Sequence, residues 1–145
     1  MIEKTVLDYL ISLDLKKVVM SGYDYAEADV CIVVPGEQAP QGAVDIPCYM
    51  ERPEKKPDDM YIIVEKTGSE LENHLPDATI AISSYGPSLY EASVLNDAVK
   101  HVMMSIPELA EVSAVRLNSD YNFTSTTLKE YRYQAVFVLT YYEED

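Results

Sequence analysis

Hydrophobic residues recur along this chain with two periods, one helical and one alternating, and the switches between them mark its elements. From Glu3 to Leu13, Val6, Leu7, Leu10 and Ile11 keep helical spacing, with Ile2 and Leu13 at the margins. Short strands are predicted over Lys16–Met20, ended by Ser21 and Gly22, and over Asp29–Val34, stopped by Pro35 and Gly36. Val44 to Met50 reads as a strand that Pro47 confines to an edge or a bend. The charged, proline-bearing segment Glu51–Asp59 is a solvated connection, after which Met60–Glu65 resumes as strand. A polar excursion through Asn73, His74 and Pro76 leads to Ala78–Ser83, with Ala78, Ile80 and Ile82 on one face.

The clearest element is a helix from Leu89 to about Ile106. Ser88 and Glu91 have the spacing of a capping box. Ala92, Leu95, Val99, Val102, Met103 and Ile106 form a continuous apolar stripe, opposite Glu91, Ser93, Asn96, Asp97 and Lys100. Pro107 is expected to end it. Strands over Val112–Asn118 and Tyr131–Tyr142 complete the chain, joined by a polar loop from Ser119 to Glu130 that is longer than a hairpin needs. In the last strand Tyr131, Tyr133, Ala135, Phe137, Leu139 and Tyr141 share one face, while the opposite face turns apolar in its middle. The order implies an α+β fold: one domain over 1–145, with two helices packed on a mainly antiparallel sheet.

With 145 residues and 48% hydrophobic content the chain can bury a core. No apolar run approaches the roughly 20 residues of a membrane helix, and the start lacks the order of a signal peptide, which implies a cytosolic site of synthesis. The 25 acidic residues against 11 basic ones give a net charge of −14. Such a surface does not grip nucleic-acid phosphates broadly; it serves solubility, lets DNA pass without sticking, or mimics DNA.

Catalytic patterns are missing from the sequence. The two histidines, His74 and His101, have no metal-like spacing, and the five glycines are too scattered for a phosphate loop. Asp58–Asp59 reads as solvated charge, and Cys31 and Cys48 as buried free thiols. No enzyme activity, cofactor or metal is expected. Twelve tyrosines without a tryptophan favour partly wet protein interfaces. Tyr9, Tyr49 and Tyr61 read as sheet-margin residues. The interface candidates are Tyr121, Asn122, Phe123, Thr124, Tyr131, Arg132 and Tyr133, with Tyr142 beside them.

Four stretches carry a resemblance: Tyr61–Gly68, Ala78–Ala92, Leu117–Thr124 and, most specifically, Tyr131-Arg-Tyr-Gln-Ala-Val-Phe137. Together they resemble the tail-terminator (tail-completion) proteins of long-tailed phages and prophages of Gram-positive bacteria. The resemblance covers about residues 60 to 142; the first 59 match in layout alone. It implies a small α+β protein, made in the bacterial host cytoplasm and residing in the virion tail. There it would form a ring, commonly of six subunits, on the head-proximal end of the tail tube. Its partners would be further copies of itself, the tail tube protein and the head-connector protein, with DNA passing through without specific binding and no membrane involved. Two other readings stay open: a different head–tail joining (neck) protein, and an acidic DNA mimic or regulatory binder.

Overall fold

The computed structural model describes residues 2–20, 27–33, 36–72 and 75–142. Its elements are α1 (Ile2–Ser12), β1 (Leu15–Met20), β2 (Glu27–Ile32), β3 (Val44–Asp45), β4 (Cys48–Tyr49), β5 (Tyr61–Glu72), β6 (Leu75–Gly86), α2 (Leu89–Met103), a 3-10 turn (Ile106–Glu108), β7 (Val112–Asn122) and β8 (Tyr131–Tyr141). They form a single compact α+β domain with two sheets. The α+β fold with two helices on mainly antiparallel sheet is as expected, with the strands divided between two sheets. One sheet has the order β2-β1-β3, the other β4-β5-β6-β8-β7. Every strand pair is antiparallel except β4 with β5.

The five-stranded sheet is built from two long hairpins that share the β6–β8 seam. Ile80 lies opposite Phe137 and Ile82 opposite Ala135. Ile62, Val64, Ile80, Ile82, Phe137 and Leu139 point to one face and are buried there. The α2 stripe covers that face: Ala92, Leu95, Val99, Val102, Met103 and Ile106 are all buried, as their spacing predicts. Tyr9 ties α1 to the end of α2 by donating its hydroxyl to the Val102 carbonyl at 2.8 Å. Gly86 permits the close approach where β6 turns into α2, because a Cβ there would stand 2.8 Å from the Ala92 nitrogen.

The start of α2 is capped as the Ser88–Glu91 spacing predicts, with Ser88 Oγ accepting from the Glu91 backbone N–H at 3.2 Å. Its end differs. The α-helix stops at Met103, and Pro107 lies inside the following 3-10 turn, where a missing N–H costs nothing. On α1, Val6 and Leu10 are buried with Ile2, but Ile11 is exposed, since α1 meets its neighbours along a narrower stripe. Val44–Met50 is two short pairings broken at Ile46 and Pro47, with β4 on the sheet edge. Ser21, Gly22, Val34, Pro35, Asn73 and His74 lie outside the described residues.

Asp59 and Asn96, both expected on the solvated surface, are part of the packing instead, as is Lys17 of the first predicted strand. Lys17 on β1 is buried and reaches Asp59 Oδ1 at 2.9 Å as well as Glu91 on α2. Burial opposes its charge, yet the hydrogen bonds to Glu91 and Asp59 prevail and hold its pKa above the ordinary lysine value. Asp59 also accepts from the Met60 backbone N–H at 2.8 Å. Asn96 is buried within α2 rather than on its polar side. Its Oδ1 has no hydrogen-bond partner among the described residues.

Candidate functional site

The expected loop from Ser119 to Glu130 begins as strand. β7 continues to Asn122, and the Phe123 N–H donates to the Arg132 carbonyl at 2.8 Å. A bridge between Ser125 and Glu130 then closes a short tip. The outer end of β7, Asn118 to Asn122, is exposed and mostly polar, so it lacks the apolar alternation that marks a strand in sequence.

A bulge in β7 decides which way its aromatics point. Leu117 stands opposite Phe137 on the helix-covered face, but the next pairing is Ser119 with Val136. The extra residue, Asn118, inverts the alternation. Tyr121 therefore lies beside Gln134 on the sheet's other, helix-free face. Without the bulge it would face α2.

On this helix-free face two rows cross the strands. The first runs Tyr49, Tyr61, Tyr85, Arg132, Phe123. Tyr61 and Tyr85 stack with centroids 4.4 Å apart and planes 6° from parallel, and Tyr49 meets Tyr61 edge-on at 6.4 Å. The Arg132 guanidinium lies 4.1 Å from the Phe123 ring centroid and 5.6 Å from that of Tyr85. It also donates to the Tyr85 hydroxyl at 3.0 Å. Cation–π attraction and this hydrogen bond fix a side chain that would otherwise be mobile. The second row is polar: Ser83 Oγ lies 3.5 Å from Gln134 Oε1, and Gln134 donates to the Tyr121 hydroxyl at 3.1 Å. Tyr121 and Phe123 join the rows, edge-on at 5.6 Å.

The turn side is held as firmly. Asn122 Oδ1 accepts from the Thr124 N–H at 3.0 Å, and Thr124 Oγ1 accepts from the Arg132 N–H at 3.1 Å. Arg52, from the segment expected to be solvated, grips the Glu130 carboxylate at 2.8 Å and 3.4 Å. This hydrogen bond raises the Arg52 pKa further. Of the sequence candidates, Tyr121, Asn122, Phe123, Thr124 and Arg132 are thus brought together. Tyr131 and Tyr133 alternate to the opposite face and are half-buried, although Tyr131, at the sheet's end, lines a pocket together with Tyr61 and Tyr85. Tyr142 is exposed at the far end of β8, away from the group.

Tyr61 and Tyr85 were missed as site residues. Both are buried although no helix covers them, because they shield each other and pack with Ile63. Burial pushes the Tyr61 phenol up to about 12, with nearby Tyr85 adding to the shift. Cys48 is pushed up to about 11 by burial and is a poor nucleophile at neutral pH. Cys31 and Cys48 are free, and both are half-buried.

The arrangement consists of ordered rings and one guanidinium, with Tyr121 and Phe123 40% and 48% exposed. Fixed aromatic surface loses little entropy on contact, the property that suits it to protein interfaces. Among the described residues no three His, Cys, Asp or Glu side chains converge as a metal ion requires. No helix among them is long and apolar enough to cross a membrane. Comparisons with protein-family models, curated proteins and solved structures find no match to this chain.

Proposed function

We propose that this protein is a structural part of a phage or prophage tail, a tail terminator that caps the head-proximal end of the tail tube as a ring. In this role it makes and breaks no covalent bond. Copies of itself form the ring, commonly six; the tube protein lies below and the head connector above. The observation that carries the reading is the exposed, rigid group of Tyr121, Phe123 and Arg132 beside the free β7 edge. The resemblance of 60–142 to tail terminators supplies the partners. Edge strands and fixed aromatics are surfaces on which subunits join.

The net charge of −14 fits a ring through which DNA moves without adhering. A DNA mimic fits less well. Carboxylates are spread along the chain, and several are engaged by Lys4, Lys16, Lys17, Arg52 and Lys100 on separate elements. Electron microscopy of tails assembled with and without this protein tests the proposal. Tubes of uncontrolled length without joined heads are expected in its absence. Finished, genome-delivering tails without it overturn the reading.

A further inference from the structure

A ring requires each subunit to present two different surfaces that fit one another, since a heterologous contact repeats around the axis. On this molecule α2 separates two such surfaces. Lys100 leaves one flank of the helix and binds Asp120 on β7 at 2.5 Å. Ala98 and Val94 leave the other flank, Ala98 roughly 160° from Lys100 by helical geometry. There they face β2, the free edge of the three-stranded sheet.

Between α2 and β2 lies a groove of about 450 Å³. Leu15, Val30, Ile32, Val94, Ala98 and Val102 give it a mainly apolar lining. Asp29 and Asp97 stand on its rim, with His101 beside them. Asp29 makes no ion pair among the described residues, and Asp97 is only loosely engaged, 3.2 Å from Lys100 with a largely exposed side chain. The vacant site therefore wants an apolar group carrying a positive charge next to it.

The β7–β8 tip offers that pair. Leu128 is 67% exposed, more than any other large apolar side chain in the described residues. The next residue, Lys129, makes no ion pair among them and sits at a φ of 52°. The tip is held in shape by paired backbone bonds between Ser125 and Glu130 at 2.9 Å and 3.1 Å. Ser125 Oγ also accepts from the Leu128 N–H at 3.3 Å. The knob is thus preorganised, which lowers the entropic cost of inserting it.

We propose that Leu128 of one copy enters the α2–β2 groove of the next, with its Lys129 between Asp29 and Asp97. The contact joins two different surfaces of the molecule and so repeats from subunit to subunit. It rests on the ring reading and specifies the surface by which the ring is made.

The test uses the full chain with Cys31→Ser and Cys48→Ser, adding Leu128→Cys to one preparation and Ala98→Cys to another. After mild oxidation of the mixture, non-reducing electrophoresis and mass spectrometry count the disulfide-linked dimers. Mixed dimers are expected to exceed self-dimers of either preparation by about tenfold. Lys129→Glu should remove that excess, and Asp29→Lys in the groove-bearing copy should restore it. Val94→Cys replaces Ala98→Cys if the latter lowers the melting temperature. Mixed dimers no more abundant than self-dimers overturn the contact, even if electron microscopy still shows rings, in which case the ring reading survives. Mixed dimers in excess, with only open filaments of the unaltered protein by electron microscopy, uphold the contact and overturn the closed ring.

Discussion

The two faces of the five-stranded sheet solve the same problem with different chemistry. Under α1 and α2, Ile62, Val64, Ile80, Ile82, Phe137 and Leu139 fill space with aliphatic bulk and one ring. Such groups need a cover, and the helices supply it. On the other face Tyr61, Tyr85, Arg132 and Phe123 lie flat on one another and carry polar tips or charge. They exclude water from each other without a covering layer, and their outer surfaces remain available. Most of the buried aliphatic core therefore lies on the helix-covered side, and the exposed aromatic surface on the helix-free side. Changes on the two faces should separate stability from contact.

The largest loss of stability is expected from the covered face. Leu95 is fully buried in the α2 stripe, so Leu95→Ala should cost about 2–5 kcal/mol through lost transfer energy and a cavity. Chemical denaturation measures it directly. Next comes the buried charge that links β1 to α2. Lys17→Met leaves Asp59 and Glu91 without their shared cation, at an expected cost of about 2–3 kcal/mol. That lies below the range for a sealed pair because both carboxylates still reach water.

Smaller effects belong to the helix-free face. Arg132→Met removes the cation between Phe123 and Tyr85 and one hydrogen bond, and should cost about 1–2 kcal/mol in the same assay. A loss as large as that of Leu95→Ala would mean that this face, too, is core. The Tyr61 phenol should titrate near 12 instead of 10.0. Its raised value means the folded protein keeps a proton that the unfolded chain releases, so stability falls as pH rises from about 10 to 12. Alkaline phenolate absorbance checks this: the late-titrating fraction should shrink in Tyr61→Phe. An unchanged curve would show that the stacked pair does not exclude water.

The same division explains what could be read from the chain alone. The α2 stripe and its Ser88–Glu91 cap are local patterns imposed by one covered face, and both were legible. So was the alternation of Ala135, Phe137 and Leu139. The end of β7 was not, because an exposed edge strand places Asn118, Ser119, Asp120 and Asn122 in a ladder without an apolar signal. The Leu117/Ser119 bulge, which turns Tyr121 and Phe123 to their face, depends on pairing with β8. Lys17, Asp59 and Glu91 are far apart in sequence, so nothing local distinguishes them from solvated charges. The Tyr61–Tyr85 stack was hidden likewise. Period-2 alternation tells which residues share a face, not whether that face shelters itself.

The most direct test of the proposed function is tail length and head attachment, by electron microscopy, in a phage carrying Tyr121→Ala with Phe123→Ala. Both side chains are substantially exposed, so the purified variant should melt close to the unaltered protein. Its tails are expected to be overlong or headless. Tails of normal length, joined to heads, would contradict the assignment of this face to assembly.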